Sequence, residues 1–233
     1  MNAIITGGTK GIGRAIAELY ASKGIDLAIC SRSEEDLTTM QKNFTDKYPS
    51  VKVITKACDV RDRGQLESFA AFVKESWEHI DILINNAGVF YPGILLEEKD
   101  DALAAMIETN LYSAYHLTRA IVPVMLPKKK GLIVNMCSIA SKIAYPNGGS
   151  YSISKFALLG FSKVLREELK ESGIKVTSIL PGATWSHSWE GVDLPKDRLM
   201  EANDIAEICY TLISLSPSAV LEEIILRPQL GDL

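Results

Sequence analysis

Long apolar runs are missing from this chain of 233 residues: none approaches the ~20 consecutive positions that cross a bilayer, so no membrane span is expected. Cysteine is scarce as well. The four that occur (Cys30, Cys58, Cys137, Cys209) are scattered with no C-x-x-C pair. That spacing argues against a zinc cluster or disulfide framework and for reduced thiols in a cytoplasmic protein. Neither sign of charge is in large excess, with 25 Lys+Arg against 29 Asp+Glu for a net of −4. Electrostatics therefore gives no case for nucleic acid or an anionic membrane as partner. Met1-Asn2 leads straight into Ala3-Ile4-Ile5, a strand and not a basic leader, so no secretory signal is expected. Linkers, low-complexity tracts and fixed-period repeats are lacking too. What remains is an ordinary globular composition, 47% hydrophobic and 23% charged, over a length that suits one domain, 1–233.

Short apolar runs alternate with long amphipathic ones throughout. Residues 2–6, 26–30, 51–57, 80–85, 131–137, 174–180 and 223–227 are rich in Ile, Val and Leu and mostly continuous. Such runs suit parallel strands buried on both faces. Helical stretches lie between them at 12–23, 33–48, 62–78, 100–125, 150–172 and 203–215; the second opens on a capping sequence, Ser33-Glu34-Glu35-Asp36. The rhythm predicts an α/β fold: a Rossmann-type, doubly wound parallel sheet with helices on both faces.

Thr6-Gly7-Gly8-Thr9-Lys10-Gly11-Ile12-Gly13 follows the first strand and opens the first helix. Glycines there allow a tight turn and let backbone N–H groups approach a phosphate at the positive end of the helix. A P-loop would need Lys then Ser or Thr after Gly13, and the chain has Arg14-Ala15. The spacing also differs from G-x-G-x-x-G. Dinucleotide binding is the reading that its place after the first strand supports.

Tyr151 and Lys155 stand four apart, hence on one helical face, and a neighbouring cation favours a phenolate. Spacing alone says little, because Tyr48 and Lys52 share it; there Pro49 breaks the helix between them. Company distinguishes the first pair. Ser138 follows one strand, Asn85-Asn86-Ala87-Gly88 closes another at the same sheet edge, and Asn110 lies in the helical stretch between those strands.

Together these residues closely resemble the short-chain dehydrogenase/reductase family, in its compact single-domain branch, over nearly the whole chain. The resemblance rests on the T-G-x-x-x-G-I-G loop from Thr6 to Gly13, N-N-A-G at 85–88, and the tetrad Asn110, Ser138, Tyr151 and Lys155. Asp59, followed by Val60, looks like the family's adenine-contacting acid, and Pro181-Gly182 like its nicotinamide-side turn. The resemblance implies that Tyr151 exchanges a proton with the substrate oxygen, that Lys155 stabilises the phenolate and holds the nicotinamide ribose, and that Ser138 donates to the substrate oxygen. It implies that Asn110 supports a water relay to Lys155, and that Gly7, Thr9, Lys10, Gly11, Ile12, Gly13, Asn86, Ala87 and Gly88 shape the cofactor site. After the Pro-Gly turn the family commonly has Thr about four residues on. Here Ser186 holds that place and Thr184 lies nearby, so either hydroxyl could meet the carboxamide.

Cofactor choice follows from the end of the second strand, where NAD-preferring members usually carry Asp. This chain has Ser31-Arg32, with Lys10 as a second cation, which favours NADP(H) over NAD(H). The short stretch after the turn, with Trp185, His187 and Trp189, and the ending Gly231-Asp232-Leu233 suggest the sepiapterin-reductase-like and small-carbonyl-reductase side of the family. Val89-Phe90-Tyr91 and Tyr145 are further candidates for the pocket wall, whereas Lys128-Lys129-Lys130 reads as a solvated turn and His79, His116 and His187 lack metal-like spacing. The expected function is NADPH-dependent reduction of a small ketone, aldehyde or dicarbonyl by a homodimer or homotetramer, with 100–125 and 150–172 as interface helices. The alternatives are an oxidative NAD-linked alcohol dehydrogenase and a non-catalytic dinucleotide sensor on the same fold.

Overall fold

A computed structural model describes residues 1–185 and 193–232. All seven apolar runs form strands: β1 (Asn2–Thr6), β2 (Asp26–Ser31), β3 (Val53–Ala57), β4 (Ile82–Asn85), β5 (Gly131–Met136), β6 (Ile174–Pro181) and β7 (Glu223–Leu226). They make one sheet in the order β3-β2-β1-β4-β5-β6-β7, with every pairing parallel. β1 is buried along its whole length, which is why its sequence does not alternate.

Helices cover both faces. Against one lie α1 (Gly11–Ser22), α2 (Glu34–Lys47) and α7 (Ala202–Ser214), which pack Tyr20, Met40, Phe44 and Ile205 over the sheet. Against the other lie α3 (Arg63–Ser76), α5 (Ser113–Met125) and α6 (Gly149–Leu169), which bury Phe69, Leu117, Ile121 and Leu165. The four cysteines are buried free thiols. Ser33 caps α2 as its sequence predicts, accepting the Asp36 N–H at 3.1 Å.

One helix departs from expectation. The stretch 100–125 is α4 (Ala102–Ile107), a π turn (Glu108–Tyr112) and then α5. Thr109 and Ser113 bond back to carbonyls one turn earlier, Thr109 Oγ1 to Ala105 O at 2.8 Å and Ser113 Oγ to Thr109 O at 2.5 Å. The wider turn carries Asn110, and π turns inside helices are frequent at functional sites. The decoy pair also resolves: Tyr48 ends α2 and donates to Glu18 Oε1 (3.0 Å), while the Lys52 ammonium bonds Ser76 O (3.4 Å). No helix among the described residues is long and apolar enough to cross a membrane.

Candidate active site

The order of the strands reverses between β1, flanked by β2, and β4, and in open α/β sheets ligands bind beyond the carboxyl ends of the strands at such a switch point. The glycine loop sits there. Gly7 (φ 64°) and Gly11 (φ 54°) occupy left-handed backbone that side chains rarely adopt. A Cβ on Gly13 would land on the Gly7 carbonyl oxygen, and one on Gly8 would lie 2.7 Å from Ile29 Cγ2. The loop is thus packed as closely as glycine permits. Ser33 and Asp62 cap α2 and α3 with their side chains, but α1 has no side-chain cap and no acid in its first turn. Its N-terminus therefore suits an anion, and a pyrophosphate fits this cradle.

Thr6 and Asn86 lock the loop to β4. Thr6 Oγ1 accepts the N–H groups of Asn86 (3.0 Å) and Ala87 (2.9 Å), and Asn86 Nδ2 donates to the carbonyls of Thr6 (2.9 Å) and Gly7 (3.2 Å). Further out, Thr9 Oγ1 donates to Ser31 Oγ at 3.1 Å, and Lys10 pairs with Asp36 at 3.2 Å. Ile12 is half-buried at the start of α1, and Arg32 is exposed beside Ser31. Asp59 follows β3, and Arg61 grips both its oxygens, Nε at 3.1 Å and Nη2 at 2.6 Å. That guanidinium holds the Asp59 carboxyl below its usual range against the opposing effect of burial. Val60 beside it is buried.

The tetrad converges on the next strands. Lys155 is 5% exposed, donates to Met136 O at 2.8 Å, and lies 5.8 Å from the centre of the Tyr151 ring. Gly88 completes this corner: a Cβ there would be 3.3 Å from Asn110 Oδ1 and 3.5 Å from Lys155 Nζ. Asn110, 1% exposed, accepts Val89 N–H at Oδ1 (2.8 Å) and donates from Nδ2 to Val89 O (3.0 Å) and Ser154 Oγ (2.8 Å). Both its amide hydrogens are therefore used by the scaffold. Ser138 starts the short turn after β5, and its Oγ accepts Ala140 N–H at 3.1 Å. Its hydroxyl proton is committed to no partner among the described residues. Phe90 meets Tyr151 edge-on, with centroids 4.8 Å apart. Burial, the nearby Tyr151 phenol and Asp232 push the Tyr145 phenol up to about 12, so it stays neutral at ordinary pH.

The Pro181-Gly182 turn ends β6. Thr184, buried, donates to Gly182 O at 3.0 Å and pairs in parallel with Met200, whose carbonyl accepts Trp185 N–H at 2.9 Å. Ser186, His187 and Trp189 lie outside the described residues. Two carboxylates that sequence reading misses also build this end. Asp232 Oδ1 accepts Ala183 N–H at 2.9 Å and fills the space where a Gly182 Cβ would sit, while Arg227 holds Oδ2 at 2.7 Å. Glu98 binds the start of α6, with Ser150 N–H at 2.9 Å and the Ser150 hydroxyl on its other oxygen. Their backbone partners Ala183 and Ser150 are 49 and 52 residues away, so the roles at these two turns have no local signal.

A phosphate cradle at the switch point, with a phenol and a buried ammonium at the carboxyl edge of the adjoining strands, defines the class: a dinucleotide-dependent oxidoreductase on a doubly wound sheet. The chain belongs to the short chain dehydrogenase family, whose model matches residues 1–194. It is 33% identical over 222 residues to the 3-oxoacyl-acyl-carrier-protein reductase of Haemophilus influenzae, covering 91% of this chain and 90% of that one. Among solved structures it is similar to an alcohol dehydrogenase of the archaeon Thermococcus sibiricus complexed with 5-hydroxy-NADP (TM-score 0.91, 27% identity, 100% and 98% of the two chains). It is also similar to the actinorhodin polyketide ketoreductase with NADPH (TM-score 0.88, 28% identity, 100% and 97%).

Proposed function

We propose that the protein is an NADPH-dependent reductase of small ketones, aldehydes or dicarbonyls, with Asn110, Ser138, Tyr151 and Lys155 as its catalytic group. The observation that carries this reading is the buried Lys155 ammonium beside the Tyr151 ring, cornered by Gly88 and Asn110. NADPH, when bound, supplies the hydride. Tyr151 gives its proton to the substrate oxygen, and the ammonium stabilises the phenolate left behind. Ser138 turns its uncommitted hydroxyl proton to the same oxygen. Asn110 holds Val89 and the π turn in place, so its contribution to a proton relay runs through the scaffold it fixes. Thr184, Pro181 and Gly182 border the nicotinamide end, with the Thr184 oxygen open to a carboxamide N–H.

The 2′-phosphate end is read by Lys10, Ser31 and Arg32, and Asp59 and Val60 border the adenine. Solved relatives crystallised with NADP or NADPH support the same cofactor. Within the family, the relatives include acyl-carrier-protein reductases as well as alcohol dehydrogenases. The small-carbonyl side therefore rests on the short stretch after the Pro-Gly turn and on the part-exposed Phe90 and Tyr91, and sepiapterin-like chemistry has no separate support. An oxidative role is the second reading, favoured by the likeness to an archaeal alcohol dehydrogenase. Exposed Tyr112, Tyr115, Ile153, Phe156 and Val164 on the π turn, α5 and α6 support a homodimer or homotetramer built through those helices. The four buried thiols suit a reducing compartment such as the cytoplasm.

The test is carbonyl-dependent NADPH oxidation by the purified protein over a panel of aldehydes, ketones and dicarbonyls. Turnover of several members with formation of the alcohol supports the reading. Turnover only of alcohols with NAD would replace it with the oxidative one.

A further inference from the structure

The segment between β4 and α4 is fastened at two places, and what lies between the fastenings is unusual. At its start, Asn110 holds both backbone groups of Val89 (2.8 and 3.0 Å). At its end, Gly93 N–H donates to Asn147 O at 3.0 Å, and Glu98 binds the backbone N–H and hydroxyl of Ser150. Gly149 is required there, since a Cβ would collide with Glu98 Oε1 and lie 2.7 Å from Gly93 O. Asn147 accepts a left-handed backbone (φ 60°) in the same turn. Ser150 is the residue before Tyr151, so the second fastening ties this segment directly to the helix that carries the phenol.

Between the two, Phe90-Tyr91-Pro92-Gly93-Ile94-Leu95-Leu96 contains no charged side chain. Phe90 is 38% exposed, Tyr91 49% and Ile94 53%. Large apolar residues left this open beside a reacting group are better explained by a ligand than by core packing. Phe90 is the one in contact with the chemistry: its ring meets Tyr151 at 4.8 Å and 66°, and part of its surface still faces solvent. A ring held on a doubly fastened segment costs little entropy when it receives another flat group.

We infer that Phe90 is a specificity-determining wall of this site, selecting carbonyl compounds that bear a flat apolar substituent, above all an aryl group, over small aliphatic ones. The inference rests on the reductase reading and adds the substrate class. A phenyl beside the carbonyl packs against the open part of the Phe90 ring while the carbonyl oxygen reaches Tyr151. A charged substituent would lose hydration against the uncharged segment without gaining a partner.

The test compares NADPH-dependent reduction of diacetyl with that of its phenyl analogue, in which one methyl is replaced by phenyl. Both carry the same reactive dicarbonyl. The wild type should prefer the phenyl compound. Phe90→Ala should reduce kcat/KM for it about tenfold more than for diacetyl, mainly through KM. Phe90→Leu, which keeps apolar bulk without the ring, should lose most of the same selectivity. NADPH affinity measured on each variant verifies that the fold and cofactor site stand. Equal loss on both diones, or no change in their ratio, would overturn the role of Phe90 and leave the reductase reading intact. Absence of turnover of any carbonyl by the wild type with either nicotinamide cofactor would sink the reductase reading, and this inference with it.

Discussion

The two ends of the crevice are built from opposite materials. At the proposed adenine end the candidate groups are charged and reachable: the Lys10 side chain is 62% exposed and shared with Asp36, Arg32 is exposed, and Asp59 is held by Arg61. At the catalytic end they are buried and joined to the backbone: Asn110 is 1% and Lys155 5% exposed, bonded to Val89 and Met136. Solvent reaches the first set, so its members can be exchanged without stranding a buried partner. The second set is preorganised, and removing one member strands its partners in a water-poor place. Cofactor choice should therefore be tunable in this chain, and the reaction centre should not.

The largest effect that can break this contrast is at Asn110. Asn110→Leu keeps the branched outline of the side chain but leaves the Val89 N–H and C=O without partners. At about 1–3 kcal/mol for each stranded group, the two part-buried Val89 groups should together cost roughly 2–6 kcal/mol of stability. Denaturant unfolding checks it; a loss under about 0.5 kcal/mol would show that the π turn holds its shape unaided.

Next in size is cofactor preference. With wild type, kcat/KM for NADPH should exceed that for NADH by at least ~10-fold, since two charge-assisted contacts supply more than the 1.4 kcal/mol required. Replacing Ser31 by Asp and Arg32 by Leu should erode or reverse the ratio while the turnover with the preferred cofactor persists. A pair of substitutions that abolished activity with both cofactors would mean the two ends are not separable.

The smallest effect sharpens the contrast from outside the crevice. Glu223 on the edge strand β7 is bridged by Lys142 and Lys163, whose hydrogen bonds hold its carboxyl below the usual range against burial. A depressed folded value means this stabilisation is present above the ordinary glutamate range and fades as pH falls through the folded one. Because the partners are largely solvated, Glu223→Gln should cost at most ~1 kcal/mol at neutral pH and nothing near pH 2. Thermal unfolding at both pH values measures it. A larger loss at the acid end would contradict the assignment.

The strand pattern was readable because most of the strands are nearly continuous apolar runs, whereas their order in the sheet is set by how the helices cross over and has no local signal. The gathering of Tyr151 and Lys155 near the end of β5 was readable through their joint placing with Ser138 relative to strand ends, where the Tyr48/Lys52 spacing alone would mislead. The π turn was not, because 108–112 continues an ordinary helical pattern and only its extra residue per turn re-aims Asn110. Glu98 and Asp232 were invisible for a different reason. Each looks like an ordinary solvated acid, and the backbone it holds, at Ser150 and Ala183, is brought to it only by the fold. The Lys10–Asp36 pair likewise qualifies a cation that the sequence presents as free, since α2 delivers the carboxylate to it.

The account turns on Tyr151 as the proton donor, and one measurement addresses it directly. Tyr151→Phe keeps the ring and its contact with Phe90 but removes the transferable proton. NADPH binding and the rate of reduction of the phenyl dione should be measured on the same preparation, with chemistry as the slow step. Binding should match the wild type while turnover falls by at least ~10²-fold, the usual cost of losing a general acid. A variant that binds NADPH and retains most of the turnover would contradict the assignment.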